Sequence, residues 1–180
     1  EGKMVQLPER LEVQTVSGGI HVEADAKNVQ LETVSGEIRF AGDAVEMLAV
    51  EATSGDLQLS GGIGSLTANT ISGDIKAASV RNAASISTTS GDVQLAGGAL
   101  TAVNVDTISG DVDYAGALSA DGRLDVNTTS GEVTLGFPKN MEGRFDLETT
   151  SGNLDVELGA ALPSARKIDG GRSMEFTVGS

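Results

Sequence analysis

The chain has no cysteine and no tryptophan in 180 residues, and only one tyrosine, four phenylalanines and one histidine. Without cysteine there are no disulfides and no thiolate metal sites. With so few aromatics, any core is thin and aliphatic. The three prolines, Pro8, Pro138 and Pro163, stand near the ends of the patterned region or beyond it. No stretch approaches the roughly 18 consecutive apolar residues of a membrane-spanning helix.

Positive charge is also scarce. Twelve Lys and Arg face 26 Asp and Glu, a net charge of −14. That balance argues against nucleic acid, whose phosphates demand a basic surface, and against anionic membrane surfaces. The single histidine, His21, is the residue on which a Ser-His-Asp triad or a histidine metal site would depend, and no partner is indicated. No nucleophile elbow, phosphate loop or dinucleotide fingerprint occurs. No catalytic residue and no cofactor is assigned.

What the chain has in abundance is glycine, 24 in all, and a repeat. Ser-Gly recurs in one register at Ser17-Gly18, Ser35-Gly36, Ser54-Gly55, Ser72-Gly73, Ser90-Gly91, Ser109-Gly110, Ser130-Gly131 and Ser151-Gly152. The steps are 18, 19, 18, 18, 19, 21 and 21 residues. A period near twenty is the mark of stacked structural units.

Aligned on the serine, four positions per unit are apolar: six and four residues before it, and three and five after it. In the fourth unit these are Leu66, Ala68, Ile75 and Ala77. Spacing by two with polar residues between is strand alternation, with one face buried. Each unit therefore reads as strand, Ser-Gly corner, strand, then a looser second corner where Gly42, Gly61, Gly97 and Gly116 fall. One unit buries about four aliphatic side chains, worth roughly 1.5–3 kcal/mol each. Ordering its backbone costs roughly 1–2 kcal/mol per residue. A unit alone loses that contest, so stability requires neighbours.

The pattern predicts an all-β parallel β-solenoid (β-helix) of about nine turns, roughly 43 Å long at about 4.8 Å per turn. Residues 1–180 form one domain, with regular repeats over about 11–158 and a degenerate closing turn over 159–180 around Gly170-Gly171. The two longest steps place insertions near Ser119–Gly122 and Gly136–Gly143, the second a bulged loop containing Phe137-Pro138-Lys139-Asn140-Met141. Arg166, Lys167 and Arg172 gather in the tail. The chain starts at Glu1 and ends on a strand-like segment, and reads as a piece of a longer exported protein.

Three rows in the repeat carry chemistry to weigh. Two residues before the serine stands a threonine in every unit but one, which has Ala52. These threonines point inward and would form a hydroxyl ladder or bond the corner backbone. One residue before the serine the row is β-branched throughout: Val16, Val34, Thr53, Ile71, Thr89, Ile108, Thr129 and Thr150. An ice-ordering surface would need hydroxyls along all of it, and half of the copies lack one.

After the corner glycine stand Glu37, Asp56, Asp74, Asp92, Asp111 and Glu132 in six consecutive units. Stacked carboxylates about 4.8 Å apart repel by roughly 0.9 kcal/mol per pair in water. Short acidic side chains suit corners because they accept from nearby backbone N–H groups. The alternative is a weak cation-binding ladder, although the calcium-binding nonapeptide pattern is not matched.

The Thr-x-Ser-Gly-Asp-aliphatic phrase, as in Thr70-Ile71-Ser72-Gly73-Asp74-Ile75 and Thr107-Ile108-Ser109-Gly110-Asp111-Val112, resembles the bacterial DUF4097 family, which carries a family-level adhesin label. The resemblance covers about Leu11 to Leu158, and the tail around Lys167–Val178 looks like that family's closing turns. It implies a β-solenoid in exported or envelope-associated bacterial proteins, and no catalytic residues.

The expected function is therefore non-enzymatic: an envelope or cell-surface solenoid, extracytoplasmic, acting as an adhesin or interaction module for a protein or glycan partner. The alternative is a passive scaffold or spacer. Polysaccharide lyases and hydrolases also use β-helices, but they raise distinctive residues on long loops, which these short uniform turns lack. Open solenoid ends invite end-to-end self-association unless capped.

Overall fold

The computed structural model describes residues 8–138, 143–158 and 172–178. Twelve strands follow in order: β1 (Arg10–Ser17), β2 (Ile20–Glu23), β3 (Asn28–Ser35), β4 (Ile38–Ala41), β5 (Val45–Ser54), β6 (Leu57–Ser60), β7 (Ile63–Ser72), β8 (Ile75–Ser90), β9 (Val93–Ser109), β10 (Val112–Phe137), β11 (Gly143–Leu158) and β12 (Arg172–Val178). Strands β1 to β11 pair in parallel. The fold is a parallel β-solenoid. A long face carries the residues leading into each Ser-Gly corner, and a short face those that follow.

The repeat register is the pairing register. Ser17 faces Ser35, Ser54 faces Ser72, and Ser130 faces Ser151. The four apolar rows point inward and form one continuous core. Only Leu11, Val13, Val22, Leu154 and Val156, in the first and last units, are partly exposed. An end unit has a neighbour on one side only.

A fifth inward row lies at the second corner: Ala26, Val45, Ile63, Val80, Leu100 and Leu118, all buried. The alternating pattern does not reveal it, because the register shifts there, between Ala77 and Val80, Gly116 and Ala117, and Leu118 and Arg123. The last shift accommodates the insertion at 119–122. Ser79, with φ of 63°, turns the chain at the position where the preceding unit has Gly61 at φ 106°.

Two expectations need correction. The eight Ser-Gly corners are joined by seven turns, so the coil is shorter than the nine turns the period suggested and spans roughly 34 Å. The closing strand adds no ninth turn. β12 runs antiparallel to β11, pairing Gly143–Thr149 with Val178–Arg172. Secondly, Phe137 belongs to strand β10 and the core rather than to a bulged loop. It is 7% exposed, with ring centroids 5.5 Å from Tyr114 and 4.9 Å from Phe145. Lys139, Asn140 and Met141 lie outside the described residues, as do Arg166, Lys167 and Gly170-Gly171.

Tyr114 closes this aromatic cluster, and its hydroxyl donates to the Ala117 carbonyl at 3.1 Å. Burial raises its pKa from 10.0 to about 12. The folded state thus holds the phenol proton more tightly than the unfolded chain. That stability is fully present below pH 10 and is lost as pH rises through about 12. Tyr114→Phe should flatten the fall between those limits, as followed by urea melts across the alkaline range. An equal fall in both proteins would show that the phenol is not its source.

The inward threonines divide into two groups. Thr15, Thr70 and Thr88 donate to the carbonyl of the serine two residues on, at 3.0, 3.3 and 3.3 Å. The hydroxyls of Thr33, Thr107, Thr128 and Thr149 are buried without a hydrogen-bond partner. These side chains fill the corner by shape, and Ala52 can therefore stand in the row. Thr107→Val, an isosteric exchange that removes an unpaired hydroxyl, should stabilise by about 1 kcal/mol. Thr88→Val should be neutral or destabilising, because it loses a made bond. Denaturant midpoints of the two variants on opposite sides of the wild type would support this division.

Candidate functional site: the corner line and the groove beside it

At the first six corners the glycine N–H reaches forward to the serine carbonyl of the next unit, as Gly55 does to Ser72 at 3.0 Å and Gly73 to Ser90 at 3.1 Å. Two residues on, the aliphatic N–H does the same: Leu57 donates to the Asp74 carbonyl and Ile75 to that of Asp92, both at 2.8 Å. The N–H between them points the opposite way, towards the preceding unit.

That N–H is met by a carboxylate. Asp74 N–H donates to Asp56 Oδ1 at 3.0 Å, Asp92 to Asp74 at 3.0 Å, Asp111 to Asp92 at 2.9 Å, and Glu132 to Asp111 at 2.8 Å. The acidic row thus closes the backbone account of the corner, one unit away rather than within its own turn. Glu37 behaves differently. Its Oε1 accepts from Arg39 Nε at 2.8 Å and from Gln58 Nε2 at 2.7 Å. Asp111 is the last acceptor of the run, and the Glu132 N–H its last donor. Among the described residues, no group of three or more His, Asp or Glu side chains is gathered closely enough to hold a metal ion.

Asp92→Ala should therefore cost about 1 kcal/mol by removing a charge-assisted acceptor from an exposed corner N–H. Asp113→Ala, on the outer short face, should change stability by less than about 0.5 kcal/mol. Equal denaturant midpoints for the two variants would refute a structural role for the row.

His21 is exposed, with Nε2 3.4 Å from Glu23 Oε1. The structure brings no nucleophilic hydroxyl to it among the contacts described.

The surface that stands out is the outer long face beside the corner. Two outward rows flank a shallow groove made of two open depressions, one over the first four units and one over the last five, which meet at Asn69 and Thr70. One wall is polar: Gln14, Glu32, Glu51, Asn69, Ser87, Asp106, Asn127 and Glu148. The other wall is the β-branched row. Val16 is 74% exposed, and Val34, Ile71 and Ile108 are 50–56% exposed. The backbone of the inward threonine row forms the floor. Alternation dictates this shape, since the residue between the two walls points into the core.

The charges on this face are unevenly neutralised. Cations pair with two acids that stand two residues further from the corner than the polar wall: Arg10 with Glu12 at 2.9 Å and Arg123 with Asp125 at 2.6 Å. The groove acids meet amides. Glu32 accepts from Gln30 at 2.5 Å, and Asp106 from Asn104 and Asn127 at 2.8 and 3.0 Å. None of the ion pairs among the described residues reaches Glu32, Glu51 or Asp106. Glu32 and Glu51 are direct register partners, two like charges stacked with no cation between them.

A smaller trough lies on the short face, where Gln58, Lys76 and Gln94 border Ser60, Ala78 and Ala96. Strand alternation marks the residues of both walls as outward. The groove is not marked in this way, because it arises from the relief between two rows.

Comparison with curated proteins and with solved structures returns no match. Among the described residues no helix is long and apolar enough to cross a membrane. A family model described as Toastrack DUF4097 matches residues 5–170, nearly the whole length of the coil, and the chain belongs to that family.

Proposed function

We propose that this chain is a non-catalytic interaction module of an exported or envelope-associated protein, and that it docks a protein partner along the groove of the long face. The observation that carries the reading is the ladder of exposed β-branched side chains beside the corner. Isolated apolar residues on a surface need no explanation, but Val16, Val34, Ile71 and Ile108 stand exposed in one line, with threonines between them and a polar wall beside them, and exposed apolar side chains gathered in this way mark interaction sites. A protein suits it better than a neutral glycan. Sugar rings are commonly held by stacking on aromatics, and the aromatics whose burial is described, Phe40, Tyr114, Phe137 and Phe145, all lie in the core.

The adhesive role and the extracytoplasmic location are parts of this proposal, supported by family membership and by the acidic surface. A passive spacer is the competing reading. β12 lies antiparallel across one stretch of the β11 edge, Gly143–Thr149, and covers that stretch against end-to-end pairing.

The test is co-sedimentation of the purified chain with outer membrane, peptidoglycan and intact-cell fractions, with and without calcium. It is run beside a variant carrying Val16→Ser, Val34→Ser, Ile71→Ser and Ile108→Ser. Saturable binding by the wild type and loss by the variant, with an unchanged melt, is the expected result. No binding to any fraction would favour the spacer.

A further inference from the structure

From the groove's charge and shape, and resting on the docking role proposed above, we infer that its occupant is an extended protein segment bearing basic and aliphatic side chains. The first four units are its principal seat. There, Glu32 and Glu51 stack in direct register on one wall, and Val34 and Ile71 stand exposed on the other.

Three physical arguments converge. The first is charge. Glu32 and Glu51 are an adjacent like-charged pair, which is unfavourable in a sheet, and no ion pair among the described residues compensates them. A Lys or Arg side chain placed between the two carboxylates turns that repulsion into two attractions. A guanidinium adds a fork of donors matched to carboxylates.

The second is width. The two walls are one strand alternation apart, so a basic group on the acidic wall leaves the other side of the same segment over Val34 and Ile71. An aliphatic side chain there covers Val34 or Ile71, with Thr53 between them. The occupant must therefore present both chemistries on opposite edges, as an extended chain does with alternating side chains.

The third is backbone saturation. Within the stack, the N–H and C=O groups of the long-face strands are used between units. A segment lying along the axis cannot add itself as a further strand. Recognition must come from side chains, which makes composition rather than strand propensity the determinant of affinity.

The test uses the full chain and three labelled twelve-residue peptides of alternating composition: Lys/Val, Ser/Val and Glu/Val. Fluorescence anisotropy at low and high salt reads the binding. Two variants are compared with the wild type, Glu32→Gln with Glu51→Gln, and Val34→Ser with Ile71→Ser. Circular dichroism melts of both must match the wild type, as outward positions should allow. The expected result is that Lys/Val binds and Ser/Val and Glu/Val bind at least about tenfold more weakly. Each variant should lose about fivefold or more, with only the Glu→Gln pair losing its salt dependence.

If Ser/Val binds as well as Lys/Val, and only the Val/Ile→Ser variant weakens it, the groove docks protein but the basic occupant is wrong. If neither variant changes any binding, both the occupant and the groove's docking role fail. A chitosan oligosaccharide serves as a further arm. Binding that depends on the two glutamates and not on Val34 and Ile71 would identify a cationic glycan instead, and would overturn the protein segment.

Discussion

Gly73→Val is expected to destabilise the fold by about 3 kcal/mol or more, while Gly98→Ala leaves it within about 0.5 kcal/mol. Gly73 sits at a corner with φ of 130°, in a region that a β-branched residue avoids. A Cβ built there would also run into the carbonyl of Gly55, the corner glycine of the preceding unit. The same collision recurs along the line: Gly91 meets Gly73, and Gly110 meets Gly91. The corner glycines are stacked so closely that the unit spacing itself depends on their missing side chains. A domain of this size has a total stability of roughly 5–15 kcal/mol, so a cost of this order removes a large share of it. Gly98 has no positive φ, and its nearest neighbour would be the Val80 carbonyl at 4.0 Å. Urea melts of the two variants read the contrast directly. A well-folded Gly73→Val would mean that the corners are not stacked as described.

The second large effect concerns two isoleucines four residues apart. Ile75 is fully buried and Ile71 is 55% exposed. Ile75→Asp places an unpaired carboxylate in an aliphatic core, an exceptional penalty on the order of 4–5 kcal/mol. Because each unit rests on its neighbours, several turns should unfold together. Ile71→Asp puts the same charge on the groove wall and should leave the melt nearly unchanged, while removing an apolar contact from the docking surface. Residue type and local sequence are almost the same, so the comparison isolates direction. Similar melts for the two variants would mean that the assigned inward and outward faces are wrong.

Much of this architecture is written in the sequence because a stacked coil repeats each environment at each period. Ile38, Leu57, Ile75 and Val93 are one spatial column, and their shared register made the core legible. The Ser-Gly corner was equally readable, since glycine there meets both a backbone and a spacing requirement. The second corner was not. Its inward row, from Ala26 to Leu118, stands three or more residues from the next inward position, and the shifts around Ser79 and Leu118 break the period-two signal.

The direction of β12 was hidden for another reason. A strand's alternation is the same whether it runs parallel or antiparallel, so Arg172–Val178 could not announce that it turns back along β11. Phe137 was read as a loop residue because the proline beside it marks a break, while its core role depends on Tyr114 and Phe145 from neighbouring units. The acidic row was recognised as a corner feature, but its acceptor role spans two units, and single-turn reasoning does not reach across that gap. For the groove, the sequence gives the chemistry of each wall and the stacking gives their continuity.

Rows in the aligned sequence are straight lines in space, advancing about 4.8 Å per unit, and the core, the corner line and the groove all follow from that stacking. The absence of native cysteine allows a direct measurement. Nitroxide labels on Thr53→Cys and Thr129→Cys mark the same row four units apart, and Thr53→Cys with Thr89→Cys marks it two units apart. Pulsed electron spin resonance should give narrow distributions, the first centred roughly 19 Å apart along the axis and the second roughly half that. A broad distribution, or a four-unit separation beyond about 30 Å, would contradict the stacked register and with it the groove.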